Sequence, residues 1–375
     1  MLTFQGKASS AFKTILGCVT KAAKPFYERA KYIYVTDTVD RHCLGYKACI
    51  TSGNKGNIFS PDTIFDVLNT EKINEGDIVR MTNDGLITVL WEMQSQQNAL
   101  FMTEACNCRC LMCPQPPKQH DTVHYETAKY ILDLLKHKEI ENICLTGGEP
   151  TLKKEAFLEI LERCVIEHPR AAISILTNGK TFADKDFVKE IAKTATENVI
   201  FCVSLHADID TLHDEIAGVY DSYRLTQLGI YNLASYGLNI EIRHVVSKLN
   251  YQRIYHFAEQ MYNYFPFCVH YAFMGMEVCG EAEKNRDRIY IDYLHYMEEL
   301  EKAVLFLNRR GLQVSVYNIP LCLCGNDVQE FARQSISGWK NIFLPVCERC
   351  TKKESCSGFF STSSVKPGNI IPFTN

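Results

Sequence analysis

Cys106, Cys110 and Cys113 stand at C-x3-C-x2-C within Thr103-Glu-Ala-Cys-Asn-Cys-Arg-Cys-Leu-Met-Cys-Pro114, placing three thiolates on one tight loop. Loops of this kind hold zinc, iron–sulfur clusters or disulfides. A cubane cluster has four irons and is usually held by four cysteines, so three close ligands leave one iron open to a substrate or cosubstrate. That opening separates a catalytic cluster from an electron wire. Cys108 supplies the alternative: C-x-C-x-C-x2-C offers four thiolates and closes a zinc or cluster site completely. Our reading takes Cys106, Cys110 and Cys113 as ligands and Cys108 as a bystander.

Glu141-Asn-Ile-Cys-Leu-Thr-Gly-Gly-Glu-Pro150 is a short β-like run ending in glycines, which permit positive φ and close backbone approach to a ligand. Its Glu149 can accept hydrogen bonds from an ammonium, although Gly147-Gly148-Glu149-Pro150 alone also fits an ordinary turn. Three further runs follow: Ile173-Ser-Ile-Leu-Thr-Asn-Gly179, Val199-Ile-Phe-Cys-Val-Ser-Leu-His206 and Leu238-Asn-Ile-Glu-Ile-Arg-His-Val-Val246. The cysteine loop follows the apolar run Asn98–Thr103, and with these runs in this order it resembles the radical S-adenosylmethionine (radical SAM) superfamily. The resemblance implies a [4Fe–4S] cluster on Cys106, Cys110 and Cys113 whose open iron is chelated by SAM and which cleaves it to a 5'-deoxyadenosyl radical. It implies further that Gly147, Gly148, Glu149 and Pro150 hold the SAM amino group. Thr177 and Asn178 are then expected near the ribose or methionine, and Ser204 and Arg243 at the ribose hydroxyls and carboxylate. Met112, where the superfamily often has an aromatic residue, is expected against the adenine or in the core.

The elements that must position these residues follow from periodicity. From 98 to about 280, strand-like runs near 98, 142, 172, 199, 239 and 268 alternate with helical patterns such as Tyr125–Leu135, Glu155–Cys164 and Phe182–Ala192. That rhythm predicts parallel strands with right-handed crossovers. It fits the open (β/α)6 partial barrel of the superfamily, with the candidate residues at the carboxyl ends of strands. We expect three parts: a small β-rich domain over 1–95, the barrel over 96–285, and a helix plus a cysteine-rich extension over 286–375. In the first, Glu75–Trp91 predicts a hairpin turning at Asn83-Asp84-Gly85, beside a strand at Tyr32–Val35. Its expected role is scaffold, with substrate-peptide docking as the alternative. In the last, Ile289–Arg310 predicts one long helix stopped by Gly311, then a strand at Gln313–Tyr317 and a loosely ordered end from Ser361.

Composition narrows the partners. With 375 residues, 46% hydrophobic and 22% charged, and a net charge of −4, the chain is an ordinary globular one with no polyanion-binding signature. Nucleic acid is therefore not expected as a partner. Ile15–Val19 is too short for the apolar core of a secretory signal, and no run is long enough to span a bilayer. Seventeen cysteines without such a signal point to a reducing cytoplasm. Cys144, Cys164, Cys202 and Cys268 fall in apolar patterns and read as core. His206 and His213 read as turn-ordering histidines, Lys352-Lys353 as a solvated turn, and Tyr262, Tyr264 and Tyr271 as aromatic core.

A second cysteine group, Cys347, Cys350 and Cys356 at C-x2-C-x5-C with Cys322 or Cys324, has spacing for zinc or a cubane cluster. Radical SAM enzymes that modify peptides often carry such extensions (SPASM or twitch) with an auxiliary [4Fe–4S] cluster. The resemblance favours that cluster, with Cys322 ahead of Cys324. Cys110-Leu-Met-Cys-Pro-Gln-Pro-Pro-Lys118, Leu145-Thr-Gly-Gly-Glu-Pro-Thr151, Met274-Gly-Met-Glu277 and Cys356-Ser-Gly-Phe-Phe360 are similar to His-Xaa-Ser system maturases of the HxsC type. That resemblance implies modification of a ribosomally made peptide (a RiPP) carrying His-Xaa-Ser repeats, a second radical SAM maturase as partner, and a flavodoxin- or ferredoxin-type electron donor. Two alternatives stay open: a radical SAM enzyme acting on a small metabolite or nucleotide, and a metal-bearing binding module without activity.

Overall fold

The structure, a computed structural model, describes residues 1–38, 43–54, 62–118 and 124–374. The chain divides into two compact units, Met1–Leu100 with Lys129–Glu139, and Phe101–Ala128 with Ile140–Asn375.

Among the described residues, the first unit has a sheet of eight strands: β1 (Thr3–Gln5), β2 (Lys7–Ala8), β3 (Ile15–Thr20), β4 (Tyr32–Thr36), β5 (Ala48–Thr51), β6 (Thr63–Phe65), β7 (Ile78–Met81) and β8 (Leu86–Trp91). They lie in the order β1-β8-β7-β3-β4-β5-β6-β2. Alternation places Ile33 and Val35 of β4 in a core with Val19, Ile50, Ile64, Val79, Ile87 and Val89, while Tyr32, Tyr34 and Thr36 stay half-buried. The expected hairpin is β7–β8, closed by Gly85 N–H donating to Thr82 O at 3.0 Å. The strand expected at Tyr32–Val35 is β4, whereas β1, β2 and β6 escape a periodicity reading because they have only two or three residues.

Among the described residues the second sheet has eight strands in sequence order, with β10 to β16 paired in parallel: β9 (Ala99–Phe101), β10 (Asn142–Thr146), β11 (Ala172–Thr177), β12 (Val199–Ser204), β13 (Asn239–Val245), β14 (His270–Met274), β15 (Val314–Tyr317) and β16 (Ala332–Arg333). Helices α1 (His124–Leu135), α2 (Lys154–Glu167), α3 (Lys185–Ala192), α4 (Asp210–Ala217), α5 (Ser222–Ser235) and α6 (Ile254–Tyr264) separate the first six strands. Strand neighbours in sequence are neighbours in the sheet, and β9 and β16 are its open edges. This is the partial parallel barrel expected, with β15 and β16 carrying the sheet beyond six strands. On β10 and β11, Ile143, Leu145, Ile173 and Ile175 are buried, and the alternate residues Cys144, Thr146, Ser174 and Leu176 are half-buried. Register puts Leu176, Cys202, Glu241 and His270 in one row, and Ser204 beside Arg243 in the next.

Three local expectations change. The Phe182–Ala192 pattern splits into a 3-10 turn, Lys180–Ala183, and α3, because the Asp184 side chain accepts from Asp186 N–H at 3.0 Å and Phe187 N–H at 3.3 Å and caps the helix. The long helix over Ile289–Arg310 is broken. After α7 (Glu281–Lys284) and α8 (Arg286–Ile289), Lys248 N–H takes the Ile289 carbonyl at 2.7 Å and Asp292 caps a 3-10 turn, so α9 begins only at Met297 and runs to Asn308. The end of the chain is tied down: Ser361 N–H donates to Lys340 O, Ser364 N–H to Val278 O and Thr351 N–H to Phe373 O, at 2.7 to 2.9 Å. A two-stranded ribbon, β17 (Asn341–Ile342) with β18 (Phe359–Phe360), precedes it. Tyr271 is core, whereas Tyr262 and Tyr264 are exposed at 41% and 60%. No helix among the described residues is long and apolar enough to cross a membrane.

Candidate active site

The cysteine loop leaves β9 and is pinned from three directions, all at the carboxyl ends of barrel strands or on the connections that follow them. Where β10 ends, Gly148 N–H donates to Thr103 O at 2.7 Å and Glu149 N–H to Ala105 O at 2.8 Å. A Cβ on Gly148 would lie 2.2 Å from Ala105 O, so the glycine lets the loop, rather than a ligand, approach closely. At the end of α4, Ala217 O and Ile216 O accept from Arg109 and Leu111 N–H, both at 2.9 Å. Beyond β14, Glu281 N–H donates to Cys113 O at 2.8 Å and the Asn285 amide to Leu111 O at 3.1 Å. There Gly280, at φ +62°, again admits the loop backbone where a side chain would meet Pro114 O at 2.4 Å. Sequence reading missed Gly280 and Asn285, because nothing in the chain links them to a loop some 170 residues earlier.

Cys106, Cys110 and Cys113 are half-buried on this loop, whereas Cys108 is 2% exposed. Cys108 is not isolated from its neighbours. Contact with Cys106 pulls its thiol down, contact with Cys110 and burial push it up, and it settles at about 11. Its sulfur lies 3.9 Å from Ser222 Oγ and 3.7 Å from Lys180 Nζ. Three partly open thiols with the fourth turned into the protein fit a cluster that keeps one iron free. Among the described residues, no three Cys, His, Asp or Glu side chains converge on a point for one metal ion. A cubane asks for something different, since each thiolate takes its own iron.

The residues expected around SAM separate by burial. Glu149 is fully buried: Oε1 accepts from Thr151 N–H (3.2 Å), Thr151 Oγ1 (2.6 Å) and Thr177 Oγ1 (2.8 Å), and Oε2 from Asn178 N–H (2.7 Å). Burial raises its pKa against these bonds, which favour the charge. Its carboxylate, expected at an ammonium, is occupied by its own chain and joins the turns after β10 and β11. Thr177 and Pro150 are buried with it. Met112 packs with Ile216, Met276, Val278, Ala282 and Ile289 in a buried cluster, the core position that was one of its two expected places. Asn178 reaches the loop itself, donating to Asn107 Oδ1 at 2.7 Å and lying 3.9 Å from Cys106 Sγ. Gly147, Gly148, Asn178, Ser204 and Arg243 keep some exposure. Arg243 is paired with Glu241, which accepts from His270 Nδ1 at 2.7 Å, while His270 Nε2 meets Ser315 Oγ at 2.9 Å. Burial would raise the Glu241 pKa, but His270 and Arg243 overcome it and hold the carboxyl at about 2.

His213 orders its turn as expected, Nδ1 accepting from His206 N–H at 3.1 Å while Nε2 meets Ser222 Oγ at 3.3 Å. With His206 and His244 it forms a buried, neutral trio, lowered by burial to about 2, 4 and 3 respectively.

In the tail, Cys322, Cys347, Cys350 and Cys356 line one cavity with Phe343, Lys352, Lys353, Phe359, Ile370 and Phe373. Cys324 faces away, its sulfur 3.8 Å from Ile319 O. Cys356 Sγ accepts from Leu321 N–H at 3.4 Å and Gly358 N–H at 3.5 Å. Lys352 and Lys353 lie in the solvated turn expected, Lys352 exposed and Lys353 half-buried, and both also border this cavity, with Lys352 Nζ 4.3 Å from the centre of the Phe373 ring.

Comparison with known proteins agrees with this geometry. Residues 100–261 match the model of the Radical SAM superfamily, so the barrel carries a radical SAM domain. The chain is 28% identical over 167 residues to a probable GTP 3',8-cyclase of Saccharolobus islandicus, covering 44% of this chain and 52% of that one. It is 35% identical over 89 residues to an S-adenosylmethionine-dependent nucleotide dehydratase of Siniperca chuatsi, 23% of this chain and 25% of that one. The chain thus spans about half the length of the cyclase or less of each relative. Among solved structures, Streptococcus suis SuiB bound to S-adenosylmethionine is similar at 18% identity and a TM-score of 0.48, over 58% of this chain and 49% of that one. A likeness at that level says nothing about substrate.

Proposed function

We propose that the protein is a radical SAM enzyme that modifies a ribosomally made peptide, of the His-Xaa-Ser repeat type. The observation that carries the radical chemistry is the pinned loop, with three half-buried thiols and a fourth turned inward, at the carboxyl end of a parallel barrel. When bound, a [4Fe–4S] cluster and SAM supply the electron and the 5'-deoxyadenosyl radical. Cys106, Cys110 and Cys113 would hold that cluster. Asn178, Ser204 and Arg243, with the Gly147–Gly148 backbone, stand on the open side where SAM would be oriented. Glu149, Thr177 and Pro150 shape the turn beneath it. The cavity of Cys322, Cys347, Cys350 and Cys356 supports a closed second cluster, with zinc as the other occupant its thiols suit. A closed site offers no iron to SAM, so its role is electron transfer or support for the bound peptide. A second maturase and a flavodoxin- or ferredoxin-type donor complete the proposal, in the cytoplasm.

A nucleotide or other small metabolite is the second reading, favoured by the names of the curated relatives. The two separate when the protein is incubated anaerobically with dithionite and SAM, either with a His-Xaa-Ser repeat peptide or with nucleoside triphosphates. A mass change in the peptide above the no-SAM control supports the first reading. Turnover of a nucleotide with the peptide unchanged overturns it.

A further inference from the structure

Lys180 opens the turn after β11 and is 9% exposed. Its ammonium donates to Asn107 O at 3.0 Å and touches Cys108 Sγ at 3.7 Å, both on the cysteine loop. Among the described residues no carboxylate lies within ion-pair distance of it. Asp221, which senses its charge from further off, is engaged by Arg224 at 2.7 Å. An ammonium taken out of water without a counter-charge is strongly unfavourable, and proteins rarely keep one without reason. Among the described residues the ammonium's acceptors are one carbonyl and one thiol, and Cys108 N–H in turn donates to Cys106 Sγ at 3.4 Å. Its counter-charge is therefore to be sought on the cysteine loop, to which both acceptors belong.

We infer that Lys180 is the fixed counter-charge of the radical cluster and sets how readily that cluster is reduced. This rests on the cluster reading above. A cubane on three thiolates is net anionic and becomes more so on reduction. A nearby cation in a water-poor setting favours the reduced state and strengthens retention of the cluster. The position is rigid, because Asn178 O, two residues earlier, accepts from Thr226 Oγ1 at 2.9 Å and Lys180 N–H donates to Asn178 Oδ1 at 3.0 Å.

The test compares wild type with Lys180→Met, Lys180→Gln and Lys180→Arg. One readout is a potentiometric titration of the electron paramagnetic resonance signal that SAM perturbs. The others are iron release to a chelator and melting of the apoprotein. Met and Gln should move the midpoint to more negative potential and release iron about tenfold faster, with no loss of apoprotein melting temperature. Arg should stay near wild type. Gln keeps a neutral hydrogen-bond donor in place of the ammonium, so it carries the test where Met does not fold. A wild-type midpoint in either neutral variant overturns the inference, as does an Arg variant shifted as far as the neutral ones. Lower apoprotein melting in both neutral variants overturns it too, by marking Lys180 as packing. A wild-type protein that binds no cluster on Cys106, Cys110 and Cys113 overturns the cluster reading itself.

Discussion

Glu149 shows how far a residue's type can be legible while its task is not. Its place in Gly147–Pro150 singles it out, but its four hydrogen bonds run to Thr151, Thr177 and Asn178, and no local pattern announces those partners. Glu149→Gln sets an amide donor against donors. It should destabilise the apoprotein by about 1.5–3 kcal/mol in urea unfolding, and an unchanged midpoint would contradict the assignment. The histidine trio gives a pH dependence. All three are held below their unfolded value of about 6.5 by burial, so the unfolded chain binds more protons under mild acid. Their contribution is complete above that value and falls as pH drops toward 4, by up to about 1.4 kcal/mol per pH unit for each. His244→Phe keeps the ring against Phe257, whose centroid is 4.2 Å away, and has no proton to take up. Its stability should fall less steeply between pH 6.5 and 5 than that of wild type. Identical slopes would remove His244 from the account.

At the scale of elements, the cysteine loop owes its shape to contacts from β10, α4 and the segment after β14. The parallel strands were legible because apolar runs and helical patterns alternate regularly from 98 to 280. The long helix was not, since its interruption comes from Lys248, far away in sequence, bonding to the Ile289 carbonyl. The tail was legible in its cysteines and not in its order. Spacing left Cys322 and Cys324 open as alternatives, and only the folded chain separates them, one into the cavity and one toward Ile319. Cys324→Ala should therefore keep the tail's full metal content, whereas Cys322→Ala should lose it, by elemental analysis of the purified protein. The reverse pattern would reject the four-cysteine cavity as the site. Deleting residues 369–375 would take Ile370 and Phe373 from its wall and should speed metal loss to a chelator several-fold. An unchanged rate would show that the tail does not shield it.

For the whole molecule, the candidate residues are spread from Cys106 to Arg243, and the parallel barrel brings its strand ends together. Burial then divides what sequence had grouped: Met112, Glu149 and Thr177 are buried, while Asn178, Ser204 and Arg243 keep some exposure. Everything proposed about substrate depends on the three open thiols holding a cluster that cleaves SAM. The direct measurement is 5'-deoxyadenosine formed from SAM and dithionite by the anaerobically purified protein, without substrate. Wild type and Cys108→Ala should both produce it, and Cys106→Ala, Cys110→Ala and Cys113→Ala should produce none. Wild-type yield from any of those three, or a Cys108→Ala protein as inactive as they are, would contradict the account.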